Sequence, residues 1–162
     1  AITVMSNQQA FGALTAIVQE SLEVVLDVPD QDWVAKESKK YHEFIQKKAD
    51  FKVEAVDDPQ PSLALSKYAG TYKDAWYGDV VISEKSDALH VDFTHTDMLK
   101  GSLEHYNGNT FIVRWDEPLL EADAFIDFDV NRNNEIKTAT MEAVADFTDF
   151  SFDFHNLKLE KQ

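Results

Sequence analysis

Apolar residues along this chain recur at two different periods. From Gln8 to about Leu26, Phe11, Leu14, Ile17, Val18, Leu22, Val25 and Leu26 return at three- and four-residue steps, with Glu20 and Glu23 on the opposite side. That spacing predicts an amphipathic helix. Before it, Ile2–Met5 is a short β-branched run suited to a buried strand and stopped by Ser6-Asn7. Asp27-Val28-Pro29-Asp30 ends the helix, because proline disfavours helical geometry in the residue before it. Asp30 or Asp32 then caps a second helix with Trp33, Val34, Tyr41, Phe44, Ile45 and Phe51 as its apolar positions. Lys36, Lys39, Lys40, Lys47 and Lys48 form its wet face.

Asp57-Asp58-Pro59-Gln60-Pro61-Ser62 has no apolar residue and two prolines, the composition of an exposed linker. Beyond it the period becomes two. The predicted division is a unit of one strand and two helices over 1–56, a linker over 57–62 and a β domain over 63–162.

Strands are expected at Tyr68–Lys73, Val80–Glu84, Leu89–Thr94, Leu99–Tyr106, Thr110–Trp115, Ala124–Val130, Ile136–Ala143 and Phe150–Leu159. Leu89, Val91 and Phe93 alternate with His90, Asp92 and Thr94, and Ala124, Ile126, Phe128 and Val130 with Phe125, Asp127 and Asp129. Asn107-Gly108-Asn109 is the strongest hairpin signal, since both residue types tolerate positive φ. Past it, Phe111, Val113 and Trp115 share one face and Thr110, Ile112 and Arg114 the other. In the last segment Phe150, Phe152 and Phe154 differ in parity from Leu157 and Leu159, which predicts a bulge near His155-Asn156. Short strands joined by tight turns form an antiparallel meander, and closing it removes its edges. The expected fold class is α+β: an N-terminal helical segment followed by an antiparallel barrel of about eight strands.

Charge narrows the partners. A net charge of −15 argues against nucleic acid and anionic membrane surfaces, which require Lys/Arg patches. With no cysteine, there are no disulfides and no thiolate metal sites. No apolar run approaches the roughly 20 residues of a transmembrane helix.

Chemistry is sparse. There is no Gly-x-Ser-x-Gly elbow, and no serine is followed three residues later by lysine. His42-Glu43 lacks the second histidine of a zinc helix, and His95-Thr96-Asp97 with His105 reads as a polar turn. Asp127 and Asp129 alternate away from the apolar face, toward solvent, and Asp127-Phe128-Asp129-Val130-Asn131 lacks the central glycine of a calcium loop. No catalytic, metal or cofactor site is assigned, and no cofactor is expected. Trp76 and Tyr77 on a predicted loop, with Tyr106 and Trp115, are the candidate contacts for a ligand or partner. The remaining aromatics read as core.

Tyr68-Ala69-Gly70-Thr71-Tyr72, Gly78-Asp79-Val80-Val81-Ile82 and Leu103-Glu104-His105-Tyr106 leading to Thr110-Phe111 resemble a C-terminal domain of lipocalin-like fold. That domain follows the catalytic domain in serine hydrolases related to class C β-lactamases, penicillin-binding proteins and D-amino-acid-specific peptidases. Val4-Met5-Ser6-Asn7-Gln8-Gln9, then Val28-Pro29-Asp30-Gln31-Asp32-Trp33, is similar to the last strand, last helix and exit of such a catalytic domain. The family's Ser-x-x-Lys, Tyr/Ser-x-Asn and Lys/His-x-Gly elements do not occur here. The tip Asn131-Arg132-Asn133-Asn134 also lacks the glycine common at that turn. The opening Ala1-Ile2-Thr3-Val4-Met5, apolar and without an initiator Met, fits a piece of a longer protein.

The resemblance implies a non-catalytic accessory domain that limits substrate access or supports oligomerisation, with the parent's catalytic domain as partner and an extracytoplasmic setting. Self-association is expected through Ile2–Met5 and the first helix. Two other readings are a stand-alone barrel binding a small apolar ligand in a hollow lined by Phe and Trp, and an enzyme using carboxylates or His95 and His105.

Overall fold

The computed structural model describes residues 1–7 and 11–162. The chain forms two compact units, residues 1–52 and 53–162. The first holds helices α1 (Phe11–Leu26) and α2 (Trp33–Asp50). The start of the expected first helix, 8–10, lies outside the described residues. Asp32 caps α2, its carboxylate accepting from the Ala35 amide at 2.8 Å. Residues 1–7 are in neither helix nor strand, so the strand expected at Ile2–Met5 is absent. A strand needs a neighbour for its amides and carbonyls, and the helical unit supplies none.

The helices meet through small residues. A Cβ built on Gly12 would lie 3.4 Å from the Glu37 Cβ, and Ala16 is buried. Glu23 locks the turn between them: its carboxylate accepts from the Trp33 indole at 2.7 Å and the Gln31 amide at 3.1 Å. Several large apolar side chains of α1 are left largely uncovered, while Leu14 and Val18 are half-buried. Phe11, Ile17, Val24, Val25 and Leu26 are all exposed.

The second unit opens with a one-turn helix α3 (Leu65–Tyr68). Eight strands follow: β1 (Gly70–Asp74), β2 (Gly78–Lys85), β3 (Ala88–Phe93), β4 (Lys100–Asn107), β5 (Thr110–Trp115), β6 (Ala124–Val130), β7 (Ile136–Ala143) and β8 (Lys158–Lys161). Each pairs antiparallel with the next, and β8 returns to β1 through Tyr72–Lys161 and Lys73–Glu160. The barrel is closed, and the expected α+β class with an antiparallel barrel of eight strands is observed.

Alternation explains the core. Leu89, Val91 and Phe93 point inward from β3, and Ala124, Ile126 and Phe128 from β6. The interior is filled by the chain's own rings: Tyr68 lies edge-on to Phe111 at 4.9 Å and to Phe128 at 5.0 Å. Phe93 and Trp115 follow at 5.8 Å, then Trp115 and Phe154 at 6.0 Å. Ile112 departs from the pattern: it faces outward, yet it is buried.

Two boundaries differ from expectation. Tyr68 belongs to α3, where its hydroxyl donates to the Asn109 side chain at 2.8 Å and accepts from the Leu63 amide. The expected strand Phe150–Leu159 shrinks to β8, preceded by 3-10 turns at Phe150–Phe152 and Phe154–Asn156. Local side chains hold these turns: Asp149 accepts from the Ser151 amide at 2.8 Å, Asp153 from the Asn156 side chain at 2.7 Å. Asp153 takes φ 52°, and the parity slip read as a bulge is this pair of turns. At the β6–β7 turn Asn134 supplies the positive φ, 57°, for which glycine is usual.

Candidate functional site

In a closed antiparallel meander, alternate connections emerge at the same end. The connections after β1, β3, β5 and β7 (75–77, 94–99, 116–123 and 144–157) share one end, and those after β2, β4 and β6 share the other. At the second end the incoming chain closes the mouth. The Ser62 amide donates to the Gly108 carbonyl at 3.2 Å, and Pro61 bridges Gly108.

The first end is organised by Asp74, the last residue of β1, which is only 6% exposed. One oxygen of its carboxylate accepts from the Trp76 amide at 2.7 Å and the Tyr77 amide at 2.9 Å. The other accepts from the Lys158 amide at 3.0 Å, tying the β1–β2 turn to the start of β8. Burial alone would raise its carboxyl. The amides of Tyr77, Lys158, Trp76 and Ala75 outweigh that and hold it below the ordinary carboxylate range.

Tyr77 completes the brace. Its ring meets Phe93 edge-on at 5.6 Å and its hydroxyl donates to the Phe152 carbonyl at 2.9 Å. Burial raises its pKa, and the charges of Asp153 and Asp74 add to the shift. Gly78, at φ 74°, ends the turn; a Cβ there would sit 2.7 Å from the His95 ring. The result is a fixed turn whose outermost side chain, Trp76, is 77% exposed.

The four candidate contacts therefore separate. Trp76 is presented to solvent and Tyr77 supports it from behind. Trp115 is buried, its indole donating to the Ala122 carbonyl at 2.7 Å, and it closes the same end from inside. Tyr106 lies near the opposite end, packed against Phe125 at 5.0 Å. His95 and His105 are likewise at opposite ends of β4. His105 instead packs on Phe111 and holds the Gly108 carbonyl at 3.1 Å. Among the described residues, no three His, Cys, Asp or Glu gather as a metal site. Asp127, read as solvent-facing, accepts a hydrogen bond from the Thr110 hydroxyl.

Among the described residues two hydroxyl–imidazole pairs come within reach, and both are wired against nucleophile activation. Thr94 donates its hydroxyl proton to the Asp79 carbonyl at 2.8 Å, so toward His95 Nδ1 at 3.1 Å it can only accept. His42 Nδ1 lies 2.7 Å from the Ser38 carbonyl, which can only accept. The ring proton therefore sits on Nδ1, leaving no base for the Ser38 hydroxyl at 3.4 Å.

Sequence reasoning missed Asp74. An aspartate two residues before the turn amides is an Asx-turn signal, but its reach to Lys158 is not local. Among the described residues no helix is long and apolar enough to cross a membrane.

Residues 54–161 match the family model described as "Domain of unknown function (DUF3471)". No curated protein and no solved structure matches the chain.

Proposed function

The chain belongs to the DUF3471 family, and from that premise we propose that it is a non-catalytic accessory domain of a β-lactamase-related serine hydrolase, contributing to substrate access or oligomerisation. The carrying observation is the uncovered apolar face of the helical unit. Phe11 is 72% exposed, Val24 83%, Val25 72%, Leu26 63% and Val34 61%. Covering one such side chain gains about 1.5–3 kcal/mol, so a run of them marks a surface made to be covered. The helices that carry it are the ones whose sequence resembles the end of a hydrolase catalytic domain. The hydrolase domain, or a second copy of this chain, is the partner this reading calls for.

Two further observations support it. The barrel interior is occupied by its own aromatic rings, as a scaffold's would be and a carrier's would not. The two hydroxyl–imidazole pairs within reach among the described residues, Ser38–His42 and Thr94–His95, have their protons placed against catalysis.

The test is paired. The chain is expected to turn over neither β-lactam nor D-peptide substrates, and to self-associate at high concentration in light scattering. Turnover would remove the non-catalytic reading. A clean monomer that also ignores an added β-lactamase-type catalytic domain would remove the accessory role.

A further inference from the structure

We propose that the Trp76 end of the barrel is a docking surface for a basic polypeptide segment carrying exposed apolar side chains. The proposal concerns the barrel alone and does not depend on the hydrolase reading.

Apolar side chains stand outward from three of the four connections at this end: Trp76 is 77% exposed, Met98 56% and Leu119 86%. Scattered exposed apolar residues need no explanation, but these three share one end of the barrel, and two of them sit on turns held by buried or capping carboxylates. Asp74 holds the Trp76 turn to β8, and the Glu117 carboxylate accepts from the Leu119 amide at 3.0 Å. A partner covering these side chains meets turns that are already ordered, so little entropy is lost on binding.

Charge selects the partner. The four connections hold eight Asp and Glu and no Lys or Arg, whereas the three turns at the opposite end hold Asp87 and Glu135 against Arg132. Asp123 pairs with Arg114 at 2.6 Å and Asp153 lies 3.2 Å from the His155 ring, and the connections as a group remain net acidic. The field at this end attracts Lys and Arg and repels phosphate-bearing partners. It also repels the same end of a second copy. An exposed indole adds an attractive face for Lys or Arg, while Leu119 and Met98 call for apolar contact. A basic segment with apolar residues satisfies both.

The test uses the full chain and a twelve-residue Lys-Lys-Leu repeat peptide, titrated in a calorimeter at low salt. Saturable one-to-one binding is expected, weakened about tenfold or more by Trp76→Ala and by Leu119→Ser. Asp87→Asn at the far end is expected to change nothing. A Lys-Lys-Ser repeat is expected to bind about tenfold more weakly than the leucine peptide. Because both substituted side chains are solvent-exposed, unchanged thermal melts separate lost binding from lost folding, and two variants guard against either failing.

The proposal is overturned by no binding, or by binding that neither substitution changes, which would be bulk charge attraction. It is also overturned if decylammonium displaces the peptide completely, marking a small-amphiphile site. Self-association abolished by Trp76→Ala would make a second copy the occupant and overturn it too.

Discussion

Replacing Asp74 should damage the barrel by an amount that depends on what replaces it. The carboxylate accepts three main-chain hydrogen bonds at 2.7, 2.9 and 3.0 Å and is almost fully buried. In Asp74→Asn the amide oxygen can keep the Trp76 and Tyr77 donors, but its NH₂ group then faces the Lys158 N–H, donor against donor. One charge-assisted bond is lost and one amide is left unpaired, a cost of about 2–3 kcal/mol. Asp74→Ala abandons all three donors; since water reaches the turn amides in part, the cost is about 3–4 kcal/mol, not three times a single bond. Urea unfolding read by NMR at barrel amides such as Val91 and Leu103 isolates this unit from the helices. The sign with pH follows from the lowered pKa of Asp74. Its stabilisation is complete above the unfolded value of about 4 and is lost as pH falls through the lower folded value. The gap between wild type and Asp74→Asn, which cannot titrate, should therefore be widest near neutrality and narrow as pH falls from the unfolded value through the lower folded one. An asparagine variant within about 0.5 kcal/mol of wild type at pH 7 would refute the argument that this carboxylate pins the turn.

Alanine in place of either of two glycines should destabilise the barrel, to different extents. At Gly101 a Cβ would lie 2.2 Å from the Arg114 carbonyl oxygen and 2.9 Å from the Trp115 Cα, so β4 and β5 must part. Gly101→Ala is expected to cost more than about 3 kcal/mol or to abolish barrel folding in circular dichroism. At Gly108 the nearest heavy atom is the Ser62 Oγ at 3.7 Å, and only φ 55° opposes the substitution, so about 1–2 kcal/mol is expected in the same melt. Arg114 pairs with Glu104 at 2.8 Å and Asp123 at 2.6 Å, but all three side chains are well exposed, at 39%, 61% and 40%. Arg114→Gln should shift stability by no more than about 1 kcal/mol, with the difference shrinking in high salt.

The strands were legible because one of their faces is buried. In β3 and β6 every second residue enters the core, so a one-residue slip would expose Val91 or Ile126, and the sequence tolerates a single register. The Asn107-Gly108 turn was legible because it needs a backbone geometry few residues adopt. Where local side-chain bonds compete with the ladder, alternation misleads. Phe150–Asn156 carries a strand-like spacing of phenylalanines, yet Asp149 and Asp153 bend it into turns. The stripe of α1 misleads differently. It predicted the helix correctly but not what covers it, since the α1–α2 contact runs through Gly12, Ala16 and the buried Glu23.

The candidate site shows why an aromatic residue cannot be assigned from its type alone. Trp76 and Trp115 both stand at the same end of the barrel, and each follows or ends a strand. What separates them is whether the indole finds an acceptor inside. Trp115 reaches the Ala122 carbonyl from the connection that follows its own strand, so it can be buried without an unpaired N–H. Trp76 sits beyond Asp74, whose carboxylate takes the backbone amides and turns the chain so that the side chain is left outside. The Lys158 amide, 84 residues away, holds the second oxygen of Asp74 and ties this locally made turn to β8. The turn itself is local, but its fixed place at the barrel end comes from closure of the sheet, which no local window of sequence contains.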